Sequence, residues 1–133
     1  MRSTPLPHSL DLLADPLAVC RLAADAPVPP WALDGGGGFV SITRTADELS
    51  VVCACTAVPD GVTVSTPWRA LRVAGPLDLG EVGVLAALGG TLAAAGVSVF
   101  PVATYDTDYL LVREGALSTA VAALRGAGHT VRA

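Results

Sequence analysis

Trp68-Arg69-Ala70-Leu71-Arg72-Val73, then Gly75-Pro76-Leu77-Asp78-Leu79-Gly80-Glu81-Val82-Gly83, and beyond a run of small residues Val97-Ser98-Val99-Phe100-Pro101-Val102-Ala103-Thr104-Tyr105-Asp106-Thr107-Asp108-Tyr109-Leu110-Leu111-Val112 form the stretch whose reading decides the fold. The first piece is short, apolar and interrupted by arginines, as in a half-buried strand. The glycine-rich acidic piece breaks it. Val82, Leu85, Gly89, Leu92, Ala93 and Gly96 then recur at helical spacing, which predicts a helix over 81–95 that stops at Gly96. Residues 99–112 read as two strands about an acidic turn, and Pro101 places the first of them at an edge or a bulge. Leu117, Val121 and Leu124 predict a second helix over 116–126, and Thr130-Val131-Arg132 a last short strand. Each helix has a single apolar stripe, so both belong on one face of a four-stranded antiparallel sheet, in the order β-α-β-β-α-β.

Working back along the chain, Leu17-Ala18-Val19-Cys20-Arg21-Leu22 predicts a buried strand. Pro27, Pro29 and Pro30 ahead of Trp31-Ala32-Leu33 permit at most a turn or two of helix. Gly35 to Gly38 read as a flexible loop, and without a following Lys or apolar helix they do not form a phosphate loop. Residues 39–45 and 48–55 predict a hairpin about Thr45-Ala46-Asp47-Glu48. Laying Ile42–Val52 over Val102–Val112 puts an acidic residue before the second strand in both, a weak internal repeat. Pro59-Asp60-Gly61 and Pro67 mark turns. With Pro5, Pro7 and Pro16, residues 1–16 read as a flexible arm. The expected organisation is an arm over 1–16, an abbreviated module over 17–66 and a complete module over 67–133.

Composition narrows the function. A hydrophobic share of 52% against 15% charged residues describes a chain that folds rather than a disordered one. The net charge of −4 and eight scattered basic residues oppose nucleic-acid binding, which depends on clustered cations. All eight are Arg, so a Walker lysine, a Schiff base and a pyridoxal anchor are excluded. No apolar run suits a bilayer span, and the first residues match a signal peptide poorly, which makes a cytoplasmic protein without membrane partner the expectation. Cys20, Cys53 and Cys55 are odd in number and read as buried, reduced thiols in strands.

Phe39 to Cys53, with its Thr-x-Thr-x-x-Glu-Leu-Ser run, the Trp-Arg-x-Leu strand at Trp68, and Thr104-Tyr105-Asp106-Thr107-Asp108-Tyr109 resemble the small bacterial ACT domain-containing proteins over most of residues 17–132. The resemblance implies an α+β, ferredoxin-like tandem of ACT modules, the first abbreviated. It also implies kinship with the effector-binding parts of aspartate kinases and with animal arginine sensors. In ACT modules the loop after the first strand generally binds an amino acid against a neighbouring module. By position, the ligand residues it implies are Asp78, Gly80, Glu81, Val82 and Gly83 in the loop and Thr104, Asp106, Thr107 and Asp108 in the hairpin turn.

Read from the residues alone, those positions admit two meanings. Acids and glycines at a helix start serve as caps, and acids in a hairpin serve the turn. The same helix N-terminus and carboxylates also suit a zwitterion with one carboxylate and one ammonium. A metal at Cys53 and Cys55 needs further ligands from Cys20, His8 or His129, and a nucleophilic cysteine with His129 as base has no supporting motif. The expectation is therefore a non-enzymatic amino-acid sensor with no cofactor, metal or catalytic residue, acting as a homodimer or through a regulated partner protein. A ligand-free interaction or oligomerisation module pairing through a sheet edge is the alternative.

Overall fold

A computed structural model describes residues 7–34, 38–74 and 83–133. The chain divides into two compact units, Ala14–Arg69 and a second made of the residues up to Leu13 together with Ala70–Ala133. No helix among the described residues is long and apolar enough to cross a membrane.

In the second unit the elements are β1 (Ser9–Leu12), the end of β5 (Thr63–Val73), α2 (Val84–Ala94), β6 (Phe100–Ala103), β7 (Asp108–Arg113), α3 (Leu117–Gly126) and β8 (Thr130–Arg132). The βαββαβ order read from the sequence is present. The sheet differs from the four antiparallel strands expected. Strand β1 lies between β5 and β8, antiparallel to the former with Leu10 opposite Val73, and parallel to the latter with Leu10 opposite Val131. On the other side of β5 comes β7, and then β6. The arm expected over 1–16 thus contains a core strand, with Leu10 fully buried. The physical reason is that Leu10 and Leu12, two apolar residues about one Asp, suffice for a strand that is covered on both edges, while Pro7 and Pro16 fall outside it.

The core of this unit joins Leu10, Leu71, Val73, Leu110, Val112 and Val131 of the strands to Val84, Leu88, Leu92, Ala120 and Leu124 of the helices. The strand residues alternate in sequence, so they share one sheet face, and both helices pack on it. Each helix ends alike: Val97 N–H donates to Leu92 C=O at 2.9 Å and His129 N–H to Leu124 C=O at 3.1 Å. Gly96 (φ +77°) and Gly128 (φ +97°) supply the left-handed residue these closures require. Pro101 lies on β6, which pairs only with β7 among the described residues, so its missing N–H costs no ladder bond on a covered side.

The first unit contains β2 (Leu17–Leu22), α1 (Pro30–Asp34), β3 (Ser41–Arg44), β4 (Leu49–Ala54), a 3-10 turn over Cys55–Ala57 and the start of β5. Its strand order is β3-β4-β2-β5. Leu49, Val51 and Cys53 of β4 pack with Ala18 and Cys20 of β2 and Ala32 of α1, and Trp31 borders them. Pro30 opens α1, where a missing N–H is harmless. Gly35, Gly36 and Gly37 of the expected flexible loop lie outside the described residues.

Three further expectations need correction. Strand β5 begins at Thr63 and runs through Pro67, where the sequence alone marks a turn. The ladder to β2 shifts between the pairs Leu17–Trp68 and Val19–Ser65, and this bulge accommodates a residue without N–H. Cys55 is only half-buried and opens the 3-10 turn, because β4 ends at Ala54. The repeat is real in structure but one residue out of register. Arg44 pairs with Leu49 in one hairpin and Ala103 with Asp108 in the other, which equates Thr45 with Thr104 and Asp47 with Asp106.

Candidate ligand site

The turn between β6 and β7 is built from its threonines. Thr104 N–H and Oγ1–H both donate to Thr107 C=O, each at 2.8 Å, and Thr107 N–H donates back to Thr104 Oγ1 at 3.3 Å. A hydroxyl side chain here mimics a main-chain turn, as threonine often does. Thr107 is 3% exposed, and its Oγ1–H donates to Val73 C=O at 2.6 Å, tying the turn to the end of β5. The matching turn in the first unit has Thr45 N–H on Glu48 C=O at 2.9 Å, and Asp47 and Glu48 N–H on Thr45 Oγ1 at 3.1 and 3.2 Å.

Of the four turn residues expected to touch a ligand, Thr104 and Thr107 therefore have their hydroxyls engaged within the protein. Asp106 is exposed and Asp108 half-buried, and neither carboxylate takes a hydrogen bond or ion pair among the described residues. Two anionic groups beside an open turn can receive a cationic group. Tyr105, between the two threonines in the same turn, is 80% exposed and adds an aromatic face.

Of the loop residues, Asp78, Gly80, Glu81 and Val82 lie outside the described residues. Gly83 directly precedes α2, with φ +86°, and its C=O accepts the first helical bond from Ala87 N–H at 2.8 Å. A glycine cap has no side-chain oxygen, and the first turn of α2 has no acid, so neither supplies a side-chain acceptor for the first N–H groups of the helix.

Two of the three thiols are buried and held protonated. Burial pushes the Cys20 thiol up to about 12, and burial also raises that of Cys53, whereas a nucleophile needs the thiolate. His129, the base considered above, belongs to the other unit and has Nδ1 occupied by His8 N–H at 3.0 Å. No group of three or more metal-ligating side chains occurs among the described residues.

Residues 63–126 match the family model of the ACT domain, and residues 15–61 match a separate model of an N-terminal domain. The bovine cytosolic arginine sensor for mTORC1 subunit 1 is 36% identical over 132 residues, which covers 90% of this chain and 40% of that protein. This chain thus spans less than half the length of that relative. Among solved structures, a protein of Agrobacterium tumefaciens is similar with a TM-score of 0.89 and 38% identity, over 96% of this chain and 93% of its own. The regulatory subunit of aspartate kinase from Thermus flavus has a TM-score of 0.60 at 9% identity, over 89% and 95%, a likeness of fold alone. With the βαββαβ order and the ACT-domain match coinciding over the second half, this chain belongs to the ACT-domain family.

Proposed function

We propose that this protein is a non-enzymatic regulatory module that binds a free amino acid at the β6–β7 turn. The ligand's ammonium sits on Asp106 or Asp108, and its carboxylate on the N–H groups at the start of α2 near Gly83. The observation that carries this reading is the turn itself: threonines satisfied within the protein leave two carboxylates that take no partner among the described residues, beside Tyr105, in a module of a family with regulatory members. The name of the bovine relative, an arginine sensor, supports the amino-acid class. A thermal-shift screen of the twenty amino acids followed by calorimetry tests it. A specific ligand at a hundredfold excess over Kd stabilises the fold by about 2.7 kcal/mol. Asp108→Ala weakens that binding by roughly 1.5 to 3 kcal/mol if the hydrogen bond is charge-assisted, with the unliganded fold unchanged. A screen in which no amino acid raises Tm at millimolar concentration refutes the reading and leaves the edge-pairing interaction module.

A further inference from the structure

Outside the turn, one titratable pair is built into the main chain. His8 N–H donates to Nδ1 of His129 at 3.0 Å, and His8 C=O accepts from Thr130 N–H at 2.9 Å. The residue that leads into β1 is thus held at both of its main-chain groups by His129 and Thr130, where β8 begins. The two imidazoles are stacked, with centroids 6.0 Å apart and 25° between planes, and His129 is 9% exposed. We propose that His129 is a proton-operated latch on β1. When neutral, it holds the His8 N–H and with it the start of the strand, and when protonated it lets that N–H go.

The chemistry follows from the donor count. An imidazole accepts at Nδ1 only while that nitrogen has no proton, and protonation turns acceptor into donor, facing the His8 N–H. Among the described residues, no carboxylate is set against the His129 ring to favour the added charge. The His8 ring faces it from just ahead of β1, and on α3 Arg125 donates from Nη2 to Val131 C=O at 2.7 Å. Farther along the same ladder Asp11 is already paired, to Arg132 at 2.5 Å and to Arg72 of β5 at 4.0 Å. Burial first, and the His8 ring second, hold the His129 imidazole below its ordinary 6.5. The latched form therefore binds a proton less readily than the open one. The latch is at full strength above pH 6.5 and weakens as pH falls below it, by up to about tenfold per unit until His129 itself titrates in the latched form.

The test is a pH titration of the full chain by NMR, with the imidazole nitrogens and the β1 amides observed together. The expected result is the Nε2–H tautomer at pH 7, a His129 midpoint below 6.5, and protection of the Ser9–Leu12 amides that falls by up to about twenty-fivefold between pH 7 and 5, once intrinsic exchange is divided out. His129→Asn sets Oδ1 where Nδ1 stands and cannot titrate, so its β1 protection stays flat. His8→Ala keeps the main-chain donor and retains the pH dependence. An Nδ1–H tautomer at pH 7, a midpoint at or above 6.5, or the same fall in H129N overturns the latch. Should H129N not fold, the wild-type tautomer and midpoint decide alone.

Discussion

Thr107→Val isolates the bond that ties the β6–β7 turn to β5. Valine has threonine's shape, so the substitution removes the Oγ1–H donor from Val73 C=O without opening a cavity. The hydroxyl is almost wholly buried, so water cannot replace it. An acceptor deprived of such a donor in a buried setting costs about 1 to 3 kcal/mol. Unfolding entropy near 2.1 cal/mol/K per residue gives about 0.28 kcal/mol/K for 133 residues, so Tm should fall by roughly 4 to 11 °C.

The control is Thr104→Val. Its hydroxyl makes two bonds within the turn, but the residue is exposed, and water substitutes for both. Its cost should stay below about 1 kcal/mol. Urea unfolding followed by circular dichroism measures both, with an unchanged m-value as the sign that only stability moved. If T107V lies within about 0.5 kcal/mol of wild type, or T104V costs as much, the anchoring argument is wrong.

Leu10→Ala should cost about 2 to 5 kcal/mol in the same assay, the range for a buried leucine, whereas a leucine in a loose arm would cost almost nothing. A thiol reagent at pH 8 should modify the half-buried Cys55 in native protein and reach Cys20 and Cys53 only on unfolding, so rapid native labelling of two or three thiols would contradict the buried pair. The hydrogen bond from Arg132 is the main cause that holds the Asp11 carboxyl below 3.8. Its stabilising contribution is complete above that pH and lost as pH falls through the folded value, so Asp11→Asn should flatten the acid limb of the wild-type stability curve and leave its difference from wild type constant near neutrality.

Much of the fold was legible because its signals are local. A short apolar run at Leu17–Leu22, a turn between β-branched runs, and a helical stripe closed by glycine each specify an element within about a dozen positions. The repeat illustrates the boundary of such reading. Matching acid to acid placed Glu48 over Asp108, but the backbone equates the threonines, because it is Thr45 and Thr104 whose hydroxyls shape the turns. For the same reason, two of the four turn residues expected to meet a ligand have their hydroxyls bonded within the chain. The acids flanking Thr107 show no such use among the described residues, and they are the part of the expected set that geometry leaves open.

What no local pattern could reveal is the connectivity. Ala14–Arg69 is an insertion between β1 and the later part of β5, so the second module begins before the first one does. A sheet strand is recognised from alternation and flanking turns, and four residues containing Leu10 and Leu12 hold too little of either to stand out beside nearby prolines. Its partners lie about 60 and 120 residues along the chain. The consequence is physical. A fragment that starts at β5 would leave the inner edges of β5 and β8 without their shared neighbour and the site of Leu10 empty, so the complete-looking βαββαβ half depends on residues that precede the other unit.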